Sequence, residues 1–160
     1  MKVLTPLVAF GAVAHAHYNF PSIIYGGVTT TAWEYVRQWT NYYAYTPVTD
    51  VTSTAIRCNA NGDSIFANST LPVKAGSSIG FTASPDIYHP GPLLAYMAKV
   101  PSGSTAATWN GAGAVWFKIF EQGPIFPTTG SALVWPTTGK YLFSHPPSSS
   151  SSPLTLTSSS

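Results

Sequence analysis

Sulfur, charge and long apolar runs are all scarce in this chain. Its 160 residues include one cysteine, seven Lys+Arg and five Asp+Glu. A single cysteine excludes an internal disulfide framework and a cysteine-built metal site. The few cations are scattered rather than clustered, which argues against nucleic acid as a partner. After residue 16 no apolar run approaches the roughly 20 residues of a membrane helix, so a membrane partner is not expected either. Apolar residues seldom recur every 3.6 positions, which argues against a helical bundle. What is plentiful is aromatic residues at 14%, with 13 glycines and 14 prolines. That mixture suits an all-β domain with long loops.

The first sixteen residues have a different character. Lys2 precedes an apolar stretch, residues 3–13, and then Ala14-His15-Ala16. A charged start, a short apolar middle and a small-x-small site make a secretion leader over residues 1–16, and a secreted, extracellular protein. Cleavage after Ala16 discards His15 and makes His17 the first residue. Lys2 leaves with the leader, so six basic and five acidic residues remain.

From residue 17 the chain has the length of one domain. Short apolar and β-branched runs alternate with Gly, Pro, Asn and Ser clusters. Strands are expected at residues 32–39, where a helical turn is also possible, at 48–58 as one or two, at 79–82 after a turn at 71–76, and at 93–100. Further strands are expected at 114–121, 132–135 and 140–143. In the 114–121 segment, Val115, Phe117 and Ile119 alternate with Trp116, Lys118 and Phe120, which predicts one wholly apolar face. Many short strands between frequent turns point to a β-sandwich.

Residues 144–160 hold nine serines and three prolines. This composition buries too little apolar surface to offset ordering, so a disordered tail is expected. Two other features stand apart. Cys58 is either a buried free thiol or half of a pair whose partner is missing or external. Asn68-Ser69-Thr70 is an N-glycosylation sequon.

Two histidines suggest chemistry. At a cleaved N-terminus, His17 offers an α-amine and an imidazole within one residue, so it can chelate a metal through both. His89 lies in Tyr88-His89-Pro90-Gly91-Pro92, where proline holds the preceding residue out of helix and stiffens the loop. Three nitrogens in a fixed, tetragonal set favour copper by geometry and by affinity order. The α-amine, with an ordinary pKa near 8, is readily deprotonated by a bound metal. Each histidine alone has a plain alternative, a chance terminal residue or a surface side chain. His145 has no evident ligand partner.

The motifs His17-Tyr18-Asn19-Phe20-Pro21, Trp33-Glu34-Tyr35-Val36-Arg37, Pro47-Val48-Thr49-Asp50-Val51 and Ile56-Arg57-Cys58-Asn59 occur in order. Val73-Lys74-Ala75-Gly76, the segment from Tyr88 through His89 to Met97, and Trp116-Phe117-Lys118-Ile119 follow. Together they resemble the fungal lytic polysaccharide monooxygenases of auxiliary activity family 9, over residues 17–143. The resemblance implies an immunoglobulin- or fibronectin III-like β-sandwich and a flat site for one copper per chain, held by His17 and His89. It implies a monomeric enzyme acting on cellulose or related β-1,4-glucans. The reaction draws on an external electron donor and on O₂ or H₂O₂, and abstracts hydrogen at C1 or C4. Surface aromatics such as Tyr25 would stack on sugar rings, although burial in a strand is an equal use for that residue.

The resemblance also has an edge. Family members continue beyond the equivalent of residues 141–143 into an Arg-His-Glu motif, a Gln-x-Tyr motif and a second half-cystine. Here the chain reads Ser144-His145-Pro146-Pro147 and then serine repeats. The axial tyrosine, the supporting glutamine and histidine, and a partner for Cys58 are absent, as are late strands of the sandwich. Either a disrupted gene model or a natural truncation would produce this pattern. The alternative function is accordingly a non-catalytic copper- or glucan-binding relic.

Overall fold

The computed structural model describes residues 17–87, 89–127, 133–136, 141–144 and 154–159. Among the described residues, seven strands form two antiparallel sheets: β1 Asn19–Tyr25, β2 Val28–Thr29, β3 Ser78–Ser84, β4 Leu93–Lys99, β5 Trp116–Gln122, β6 Tyr141–Ser144 and β7 Leu154–Ser159. One sheet has the order β2-β1-β3-β6 and the other β5-β4-β7. The only helical turns among the described residues are 3₁₀ segments at Tyr42–Ala44 and Thr54–Ile56. The architecture is the immunoglobulin-like β-sandwich expected.

Local chemistry accounts for the first sheet. Gly26 and Gly27 have φ of 59° and 80°, and Tyr25 pairs with Val28 across them. A two-residue hairpin loop of this kind needs two positive φ values, which glycine supplies without steric cost. Pro21 has no N–H to give to a ladder, and the β1–β3 register shifts between Asn19 and Ser22. The shift helps bring Phe20 and Ile23 to the core together, although they stand three residues apart. A turn in which Ser77 N–H donates to Lys74 O (3.1 Å), with Gly76 at φ 81°, delivers the chain into β3.

The main core lies between the sheets. Phe20 and Ile23 of β1 and Ile79 and Phe81 of β3 meet Leu93 and Ala95 of β4, together with Tyr18 and Ile87. Removing such side chains from water supplies about 1.5–3 kcal/mol each. A second cluster forms on the other face of β4, where Ala98, Val100 and Trp109 pack together. There Trp109 stacks on Trp116 at 5.5 Å, and Trp116 Nε1 donates to Gly111 O (2.9 Å).

Four sequence expectations are corrected. Residues 32–39 form turns and extended chain rather than a strand, and residues 48–58 form turns and the 3₁₀ segment. The first segment carries Trp33 at φ 64°, a left-handed conformation incompatible with a regular strand. In the second, the Asp50 carboxylate accepts from Thr52 N–H (2.9 Å) and Thr52 Oγ1 (2.6 Å), a local turn that competes with strand pairing. The apolar face of residues 114–121 is also broken. Ala95 pairs with Phe120 and Tyr96 with Lys118, leaving Ile119 unopposed. This bulge puts Phe117 and Phe120 on one face and Lys118 and Glu121 on the other.

The fourth correction concerns the tail. Residues 154–159 are strand β7, paired with β4 from Leu94↔Ser159 to Lys99↔Leu154. Serine content hid a Leu-Thr-Leu-Thr alternation, which suits a strand beside the open edge of β4. Residues 145–153 and 160, the rest of that expected tail, lie outside the described residues, as does the leader at 1–16. The segments 79–82, 93–100, 114–121 and 140–143 are matched by β3, β4, β5 and β6. Of 132–135, Val134 forms a single bridge to Ile125.

Candidate metal centre

The sheet topology brings the two histidines together. β1 and β3 are antiparallel neighbours, with Asn19 opposite Ser84. The start of β1 therefore lies beside the end of β3. His17 lies two residues before the first residue of β1, and His89 sits in the loop that leaves β3. Their ring centroids are 6.1 Å apart with planes at 67°. Buried Ile87 and Leu93, at 3% and 4% exposure, pin that loop on both sides of His89. Pro90 and Pro92 reduce its freedom further.

His89 rests on an aromatic floor. The Tyr18 ring lies 5.2 Å from the His89 ring and 5.6 Å from Phe20, and Phe20 contacts Phe81. The floor thus continues into the main core. Burial raises the Tyr18 phenol above its ordinary value, keeping it neutral. His89 Nδ1 lies 3.2 Å from Pro90 O. A carbonyl can only accept, so the contact is a hydrogen bond in the tautomer that carries its proton on Nδ1, and in that tautomer the Nε2 lone pair is the one that could bind a metal.

The separation fits two imidazoles sharing one metal. A metal–imidazole bond of about 2.0–2.1 Å places each centroid about 3.2 Å from the metal, hence about 6.4 Å between rings facing across it. Among the described residues there is no group of three or more His, Cys, Asp or Glu placed to hold a metal. A metal held by these two rings would need a further donor from elsewhere, and the α-amine of a cleaved His17 would be chemically suited to it. In the full 160-residue chain that nitrogen belongs to a peptide bond.

An aromatic segment borders the site, and sequence reasoning took part of it for a strand. Asn19 is buried, and its Nδ2 donates to Tyr42 O (3.0 Å). That bond ties the segment to the start of β1. Trp33 packs on Tyr42 at 4.9 Å and on Trp39 at 5.8 Å. A shallow cavity of about 200 Å³ lies between Pro21, Trp33, Tyr42, Tyr43 and Ser84. Tyr43 is 69% exposed. Asn41 and Tyr45 flank the turn at φ 59° and 51°. The density of Trp and Tyr between residues 33 and 45 was the available signal.

Other residues singled out from sequence lie elsewhere. Tyr25 ends β1 eight residues from His17, about 25 Å at the rise of a strand. Its ring packs on the core, and its hydroxyl accepts from Lys74 N–H (3.1 Å); the structure does not bring it to the histidine pair. Cys58 is a half-buried free thiol. Burial pushes its pKa up, against the opposing pull of Arg37 and Arg57. Gly62 passes so close that a Cβ there would stand 1.8 Å from Cys58 O, so this turn admits only glycine. Asn68 is exposed on the loop that follows.

The sequence also has relatives. The profile of Auxiliary Activity family 9 (formerly GH61) matches residues 17–145. The chain is 57% identical over 140 residues to the AA9 family lytic polysaccharide monooxygenase H of Malbranchea cinnamomea, covering 87% of this chain and 60% of that protein. It is 49% identical over 141 residues to the AA9 family lytic polysaccharide monooxygenase C of Emericella nidulans, covering 86% and 58%. The chain thus spans about 60% of the length of these relatives. Among solved structures, the crystal structure of HiLPMO9B shares the fold at a TM-score of 0.61 and 24% identity, covering 80% of this chain and 62% of that one. With a matching profile over most of its length and relatives at this identity, the chain belongs to Auxiliary Activity family 9.

Proposed function

We propose that the mature protein is a secreted, copper-dependent monooxygenase that oxidatively cleaves cellulose or a related β-1,4-glucan. The observation that carries this reading is the pairing of His17 with His89 at 6.1 Å, at the start of β1, in a member of this family. Removal of residues 1–16 on export frees the His17 amine. His17 then holds the metal through that amine and its ring, and His89 holds it through Nε2. Bound copper supplies one-electron redox chemistry, drawing on an external donor and activating O₂ or H₂O₂ for hydrogen abstraction at C1 or C4.

The protein's part is positional. The Pro90 carbonyl orients the His89 ring. Neutral, buried Tyr18 fills the space beneath it and keeps water out from below. Exposed Tyr43, standing beside Tyr42 and Trp33, offers a flat apolar face for a sugar ring. A site at the end of a sheet suits attack on a glucan surface, where a deep cleft could not reach.

Two forms of the protein test the reading. One begins at His17, and the other carries a single glycine before His17, which converts the amine into an amide. The first should release oxidised cello-oligosaccharides from cellulose only with copper and a reductant. The second should release at least tenfold less. Equal product from both would refute the role of the amine. Copper binding by the first form without oxidised product would instead indicate a non-catalytic binder.

A further inference from the structure

The sequon does not belong to the metal centre, and its surroundings are unusual. Asn68, Ser69 and Thr70 are all exposed. Ser69 N–H donates to Glu34 O at 3.0 Å, and the same loop is tied at Thr40 N–H to Ala60 O, 2.9 Å. The acceptor therefore stands on a fixed loop rather than a loose one. Two residues before it is Phe66, 41% exposed. The Arg37 guanidinium covers one face of that ring, 4.6 Å from its centroid. Arg37 is itself held by the carbonyls of Ala106 and Trp109. With the cation against one face, the exposed part of the Phe66 ring lies away from Arg37 and is open to a ligand.

We propose that Asn68 carries an N-linked oligosaccharide whose first N-acetylglucosamine lies on the open face of Phe66. The inference rests on the export reading above, because the transfer occurs inside the secretory compartment. In it, the Asn68 carboxamide nitrogen bonds to the anomeric carbon of a polyprenyl-diphosphate-linked oligosaccharide. The bond from that carbon to the diphosphate breaks, polyprenyl diphosphate leaves, and the amide proton passes to a base. Thr70 supplies the hydroxyl that the transfer requires two residues after the acceptor. One face of a β-linked N-acetylglucosamine presents axial C–H groups. These pack on an aromatic ring two residues upstream, within reach of the acceptor's short side chain. An exposed Phe66 thereby becomes covered.

The experiment is to produce the full chain in a fungal secretory host in two versions, one with its own leader and one with a proven heterologous leader. Protein is recovered from the medium and from the membrane-enclosed fraction. The expected intact mass exceeds that of the polypeptide. A peptide-N-glycosidase should remove the excess and leave deamidation at position 68, and Asn68→Gln and Thr70→Ala should both lack the excess. Glycan removal should lower Tm in the natural sequence and in Phe66→Tyr, and leave Tm unchanged in Phe66→Ala. Unmodified Asn68 in protein recovered behind the heterologous leader would overturn the site. Modification behind that leader alone would overturn the export reading and keep the site. An equal Tm loss in Phe66→Ala would overturn the stacking.

Discussion

Around His89, the apolar side chains of the loop have something to lie against: Ile87 and Leu93 are 3% and 4% exposed, and Tyr18 closes the floor. Along β5 and beyond, Phe117, Ile125 and Phe126 are 49%, 54% and 76% exposed. Both regions belong to the same sandwich, and Phe117 faces the same side of its sheet as buried Met97, its partner across the ladder. The difference lies in neighbours rather than in side-chain chemistry. β1 and β3 sit inside their sheet and face β4 across the core, whereas β5 pairs on one side only among the described residues. Burial is concentrated where the histidines are, so the candidate metal centre rests on one flank of the sandwich and not on the other.

Substitutions on the two flanks should therefore diverge. The largest effect is expected for His89→Ala, with oxidised-product formation falling by about 100-fold or more at unchanged far-ultraviolet circular dichroism. Loss of a group that merely orients a ligand already costs about 10–100-fold. Retained activity in that variant would break the comparison at its functional end. Next, Met97→Ala should cost about 2–5 kcal/mol of unfolding free energy in urea denaturation, because Met97 is 2% exposed in the core. Phe117→Ala, directly opposite on β5, should cost less than half of that. Equal losses would show that the β5 face is covered in solution.

A smaller effect is expected for Asn19→Ala, which strands the Tyr42 carbonyl and should cost about 1–2 kcal/mol. The same variant should loosen the Tyr42–Ala44 turn, visible as faster amide exchange there. The smallest effect concerns Cys58. Burial raises its folded pKa, so the protonated thiol is favoured in the fold. The corresponding stability is fully present below the unfolded value, about 8.5, and is lost as pH rises through the folded value. Stability measured upward from about pH 8.5 should decline in the natural sequence, with a flatter profile for Cys58→Ala. Identical profiles would remove the thiol from the account.

Legibility in the sequence did not follow that divide. β3, β4 and β5 were readable because dense apolar runs met turn chemistry, as at Lys74-Ala75-Gly76. The pairing of the histidines was not readable from spacing, because 72 positions separate them and only the β1–β3 register closes the gap. Residues 32–39 misled because bulky aromatics mimic a strand, while Trp33 adopts a left-handed backbone that no composition announces. The β5 alternation misled because a bulge at Ile119 changes which side chains share a face. Tyr25 shows the limit for sites: an aromatic residue at a strand end is equally suited to core and surface, and here its ring is tied inward and its hydroxyl to Lys74.

The most direct measurement is electron paramagnetic resonance of the chain beginning at His17, loaded with one equivalent of Cu(II). Coordination by the His17 amine, the His17 ring and the His89 ring predicts superhyperfine structure from three nitrogens, falling to two in His89→Ala. A stoichiometric copper signal that is identical in the two proteins would contradict the assignment of His89 as a ligand.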